Sequence, residues 1–258
     1  MVSRQHHGTV KFFFGGELVL GLFKQIRVLG LLASVALAGC GGDVDSQSST
    51  APAQGLAQRA GAPLFEGMGD YHMPITTADP DAQRYFDQGM VLAFGFNHAE
   101  SIRSFRAAQT LDPTCAMCFW GEALATGPNI NVTSNGKAIM APAERASARA
   151  AIDQALALMD DVSPEEQDWI RALDQRYDGQ ADTPREPLDR AWANALADMA
   201  SRYPGDTTVA SVYAEALMNT MPWDYWGPDG EAKPDTQAVI ASLEAVMDAD
   251  PDHPLALH

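Results

Sequence analysis

The sequence is short of cysteine and of positive charge. Its 258 residues include three cysteines, and 17 Lys and Arg stand against 34 Asp and Glu. Three cysteines are too few to staple a loop-rich scaffold, so a hydrophobic core has to hold this chain. The formal net charge of −17 argues against nucleic acid as a partner, because phosphate contacts are made by Lys and Arg. No apolar run reaches the about 20 residues that a membrane-spanning helix needs. Nothing alternates with period two, so essentially no sheet is expected. Catalytic signatures are missing too: there is no Gly-x-Ser-x-Gly elbow, no His-Glu-x-x-His and no phosphate loop. No catalytic residue is therefore predicted. What is present, 46% apolar and 20% charged residues, is ordinary globular composition.

Residues 18–40 have the order of a secretory signal, with Lys24 and Arg27 before an apolar run of about ten residues that ends in small ones. Residues 1–17 read as an extension upstream of it. Leu37-Ala38-Gly39-Cys40 resembles the lipobox of bacterial lipoproteins. That resemblance implies lipidation of Cys40 and loss of residues 1–39. Each buried acyl CH₂ would then contribute about 0.8 kcal/mol to anchorage. Gly41, rather than Asp, implies an outer-membrane protein facing the periplasm. The lost segment is net basic (Arg4, Lys11, Lys24 and Arg27 against Glu17), so the mature chain is still more acidic. Anionic headgroups repel such a surface, which leaves the lipid as the only membrane contact expected. Residues 40–66, rich in Gly, Ser, Ala and Gln, read as a flexible tether.

The body, residues 67–258, repeats. Tyr85-Phe86-Asp87-Gln88-Gly89-Met90 aligns with Phe119-Trp120-Gly121-Glu122-Ala123-Leu124 34 residues later, and Val212-Tyr213-Ala214-Glu215-Ala216-Leu217 returns to the pattern. The small residue in each unit lets two helices approach closely. Between the first two units, Ile102, Phe105, Ala108 and Leu111 share one helical face, and Pro113 stops that helix. A helix–turn–helix unit of 34 residues with a closing proline resembles the tetratricopeptide repeat. That resemblance implies an all-α, right-handed solenoid of about four helix hairpins plus the start of a fifth. Ser163-Pro164-Glu165-Glu166 is a capping box with proline at the first helical position, opening a helix that runs to about Tyr177. Because an array should close on a polar helix, the apolar start near His258 predicts continuation of the protein beyond it.

Five further stretches resemble a group of bacterial tetratricopeptide lipoproteins of unestablished function. They are Gly69-Asp70-Tyr71-His72, Phe94-Gly95-Phe96-Asn97-His98-Ala99-Glu100, Cys115-Ala116-Met117-Cys118-Phe119-Trp120-Gly121, Gly127-Pro128-Asn129-Ile130-Asn131 and Pro222-Trp223-Asp224-Tyr225-Trp226. The resemblance supplies a fold and an address, not a chemistry.

Candidate sites follow from residue types. Cys115 and Cys118 open a helix, where the dipole lowers thiol pKa. A disulfide, a metal site and free packing thiols all fit the pair. A zinc or copper ion would need more ligands. His72 stands at the same edge of the array as the cysteines, whereas His98, one helix length away, reads as a turn residue. Tetratricopeptide arrays hold extended peptides along a concave face. Here Gln83, Phe86, Met90 and Phe94 would line it in the first unit, and Met117, Trp120 and Leu124 in the second. The same side chains also suit a core. Trp223, Tyr225 and Trp226 surround Asp224 in an inserted loop, where they could cup a cation or fold back as a plug. The expected function is a lipid-anchored binding or scaffold protein for a protein or peptide partner, with metal or thiol-redox handling at the cysteine pair as the alternative.

Overall fold

The computed structural model describes residues 50–131, 133–134, 137–138 and 140–258. The expected leader, Cys40 and the first part of the expected tether lie outside the described residues. Helices carry the described fold: α1 (Thr50–Ala60), α2 (Pro80–Phe94), α3 (His98–Leu111), α4 (Ala116–Thr126), α5 (Pro142–Ala157), α6 (Pro164–Asp174), α7 (Arg185–Arg202), α8 (Thr207–Thr220) and α9 (Thr236–Ala249). Strands β1 (Thr133–Ser134) and β2 (Lys137–Ala138) form a short antiparallel ribbon between α4 and α5.

Local chemistry sets the helix starts. Asp79 caps α2 by accepting from the Asp81 N–H at 2.8 Å, and Pro80 takes the first helical position. Ser163 and Glu166 form the reciprocal capping box of α6, at 3.2 and 2.9 Å. Asp206 caps α8 through the Val209 N–H at 2.7 Å. One expected boundary moves: α6 ends at Asp174 instead of near Tyr177, because Arg176 and Tyr177 turn into the interior, where both are buried.

Neighbouring helices pack in sequence order, α2 with α3, α3 with α4, α4 with α5, α7 with α8, and α8 with α9. Two glycines decide the closest approach, Gly89 of the repeat pattern and Gly121. Phe105 of α3 is completely buried between Gly89 and Gly121. A Cβ on either glycine would stand 2.7 or 2.3 Å from its ring atoms, closer than atoms can pack. Trp120 lies edge-on to Trp169 at 5.3 Å and donates its indole N–H to the Trp169 carbonyl at 3.0 Å.

The structure corrects two expectations. The tether reading fails from Thr50 onward. That segment forms α1, and Leu56, Ala60 and Ala62 are buried in a cluster with Ala82, Tyr85, Ala107 and Ala108. Tyr85 then fixes the exit by donating to the Ala62 carbonyl at 2.7 Å. Small side chains on both surfaces allow contact that composition alone reads as looseness. The open concave face is also absent where it was expected. Phe86, Met90, Phe94, Met117 and Trp120 are buried in the main core, and Gln83 is half-buried. A strap around residues 73–76 packs against this core, Met73 within it and Ile75 at its edge. Gln83 binds Met73 O and Ile75 N, each at 2.9 Å, and Glu166 takes both the backbone N–H and the hydroxyl of Thr76 at 2.6 Å. An irregular segment with unpaired backbone groups is held this way by side chains, and apolar surface that would face a groove faces the strap.

Candidate functional site

Cys115 is the N-cap of α4 and Cys118 its third residue. Their sulfurs are bonded as a disulfide, and both residues are fully buried. His72 does not join them: its Nδ1 is 2.8 Å from the Asp87 carboxylate. Among the described residues no three His, Cys, Asp or Glu side chains stand together as a metal set.

The sequence stretches with no assigned role converge elsewhere. The Gly127–Asn131 loop after α4 is gripped from three sides. Arg176 donates Nη2–H to the Pro128 carbonyl at 2.9 Å. Trp223 donates its indole N–H to the Ile130 carbonyl at 2.6 Å. Asn129 accepts the Asn131 N–H on its Oδ1 at 2.9 Å, which turns its amide N–H₂ toward His98 Nε2 at 3.1 Å. Gly127 is required here, since a Cβ would lie 2.4 Å from the Tyr177 hydroxyl and 2.9 Å from the Arg176 guanidinium.

Beside this loop lies a half-open cavity of about 190 Å³, walled by Phe96, Ile130, Met218, Trp223, Leu243 and Leu255, with Asn131, Ser211, Glu215 and His258. A smaller recess of about 40 Å³ adjoins it through Phe96, Glu215 and Leu255 and reaches Phe94, His98, Leu124 and Arg176. Phe96 and Trp223 are the two non-glycine residues with positive φ among the described residues, at 57° and 58°. For an aromatic residue the left-handed conformation costs roughly 1–2 kcal/mol. Strain of this kind concentrates at ligand clamps and active sites, and here both instances face one cavity.

Charge lies behind the cavity wall. Asp189 Oδ1 accepts from Arg176 Nε at 3.1 Å and from Arg185 Nη2 at 2.8 Å, with all three residues buried. Glu215, on α8, accepts from the Asn219 amide through Oε1 and feels the Arg176 charge. Its Oε2 has no hydrogen-bond partner among the described residues. Burial pushes the Glu215 carboxyl above its ordinary 4.5, outweighing the pull of Arg176 and Asn219. His98 is held below its ordinary 6.5 by burial, with Arg176 adding to the effect and the Ala125 carbonyl opposing it. The imidazole is thus neutral at pH 7, with Nε2 free to accept from Asn129 and the proton on Nδ1.

One Ser–His pair adjoins the cavity, and its protons run the wrong way for a nucleophile and base. His253 Nδ1 accepts the Ala256 N–H at 3.4 Å, so Nε2 carries the proton toward Ser211 Oγ at 3.5 Å. Ser211 spends its own proton on the Thr208 carbonyl at 3.0 Å. A catalytic pair needs the imidazole to accept from serine.

Sequence reading therefore missed His98, Asn129, Arg176 and Glu215 as members of one site. His98 was expected at a turn, and it does open α3; its ring, however, reaches the cavity lining. The inserted aromatics do not plug the surface. Trp223 is 66% and Trp226 52% exposed, so most of each ring meets solvent. Tyr225 is half-buried, its carbonyl accepting from Lys233 N and Thr236 Oγ1. Asp224 is paired with Lys233, which occupies the carboxylate of the expected cation cup. Set against known proteins, the chain matches no family model, no curated protein and no solved structure.

Proposed function

We propose that this chain is an exported, lipid-anchored binding protein of the tetratricopeptide-lipoprotein kind. Its helix pairs would form a right-handed solenoid, and a protein or peptide partner would insert a side chain into the cavity beside the Gly127–Asn131 loop. The 34-residue recurrence and the packing of adjacent helices support the repeat reading. The Cys115–Cys118 disulfide supports an oxidising compartment such as the periplasm. The proton arrangement of Ser211 and His253 favours a binding role over a hydrolytic one.

The observation that carries the reading is the strained aromatic pair at the cavity, Phe96 and Trp223. Small-molecule sites usually enclose about 300–1,000 Å³. A cavity of about 190 Å³ suits one anchoring side chain of a larger partner better than a whole ligand. Anchors of that kind dominate protein interfaces.

The test uses the full-length chain in a bacterial envelope, with a photoreactive benzoylphenylalanine at position 223 or, as a control, at the exposed Met247. A discrete protein adduct from position 223 alone is expected. No adduct, or the same adducts from both positions, overturns the reading. In the same cells, Cys40→Ala should leave the precursor unprocessed and without acyl label.

A further inference from the structure

Resting on the preceding reading, we propose that the cavity takes a tyrosine or tryptophan side chain of the partner, whose O–H or N–H donates to Glu215 Oε2.

The walls set the first requirement. Phe96, Ile130, Met218, Trp223, Leu243 and Leu255 present apolar and aromatic surface, so the entering group needs an apolar body to displace water from them. The floor sets the second. Glu215 reaches both recesses, and in its ionised form the carboxylate can only accept. A leucine or phenylalanine side chain would fill the space and strip water from that oxygen without replacing the hydrogen bond, which is costly for a charged group.

The charge balance sets the third. Arg176 and Arg185 face Asp189 and Glu215, two positive charges against two negative. Asp189 Oδ1 is already shared by both guanidiniums. The nearby charges are paired as well, Asp224 with Lys233 and Asp235 with Arg190. An entering Lys or Arg would add a third cation beside Arg176 against two carboxylates, after losing its own hydration. The chain's overall charge of −17 draws cations to its surface, but the local count rejects them inside. What remains is a neutral donor on an aromatic body, the phenol of tyrosine or the indole of tryptophan. Both stack well against aromatic walls.

The experiment titrates the full chain with Gly-Gly-X-Gly-Gly peptides, X being Tyr, Trp, Phe, Leu or Arg, and follows the Trp223 indole N–H by NMR. The Tyr and Trp peptides should bind at least about tenfold tighter than the Phe peptide, the ratio one hydrogen bond to a charged group supplies. The Arg peptide should bind most weakly. Glu215→Met keeps the side-chain length and removes both the acceptor and the cost of drying it, so Phe should bind more tightly than to the unaltered protein and the Tyr-to-Phe ratio should fall to about one. Arg ranking first, or Phe equalling Tyr in the unaltered protein, overturns the inference, and neither result depends on the variant folding. If no peptide moves the resonance while the position 223 crosslink persists, the inference fails and the binding reading stands. Loss of the crosslink defeats that reading itself.

Discussion

Around Phe105 the helices meet by shape, and around Arg176 they meet by charge. The Phe105 ring sits between two glycines with no room for a methyl group. Among the described residues no non-glycine backbone is left-handed there. At Arg176, buried ions replace apolar fill, two aromatics carry left-handed backbone, and an unfilled cavity opens beside them. Both regions grow from helices of similar pattern. Close packing leaves no freedom to bind. Buried polar groups fix positions around a space without filling it, and that space is where a ligand can enter.

The contrast can be broken most forcefully at Asp189. Asp189→Ala leaves Arg176 and Arg185 buried without their shared carboxylate and should cost about 3–5 kcal/mol. A urea denaturation midpoint close to that of the unaltered protein would show that charge does not hold this region. Next comes Gly121→Ala, expected to cost about 1–3 kcal/mol by overpacking. Adding Phe105→Leu to it should recover part of that loss, since the two sites share one contact. Independent, additive losses would mean that shape is not the constraint there. Replacing both Cys115 and Cys118 by alanine removes a very short loop closure and should lower stability by about 2 kcal/mol.

Smaller effects depend on pH and separate the charged region further. Burial holds His98 and His253 below 6.5 in the folded state. The unfolded chain then binds more protons, and the stability both histidines contribute is lost as pH falls below about 6.5. Glu215 runs oppositely: its folded carboxyl titrates above 4.5, so the stability it lends is lost as pH rises from 4.5 through that raised value. Glu215→Gln should remove this second decline and raise the midpoint at pH 7, and a lower midpoint at pH 7 would contradict it. Trp223→Gly should be nearly neutral for stability, within about 1 kcal/mol. Relief of left-handed strain roughly offsets the lost Ile130 hydrogen bond.

The fold was legible wherever neighbours in sequence decide it. The Ser163–Glu166 box, the stop at Pro113 and the spacing of Ile102, Phe105 and Ala108 are local signals, and the helices stand where they point. The repeat's small residue at 89 announced a close approach, and Phe105 makes it there, with Gly121 on the other side of its ring. The site was barely legible. Its motifs stood out as strings, but His98 looked like any turn residue and Glu215 like any helix-surface carboxylate. Arg176 lay in what read as the end of a helix. No periodicity links positions 98, 129, 176 and 215.

The sequence alone determined the helical pairs, because capping, proline stops and 3.6-residue spacing act within a few residues of chain. It also determined the excess of acid. Only tertiary packing decided that the expected groove residues are buried in a core shared with Met73, that α1 docks where a tether was read, and that four stretches meet at one cavity. Those outcomes depend on distant surfaces competing for burial and on buried polar groups finding partners, neither of which is written at a fixed spacing along the chain.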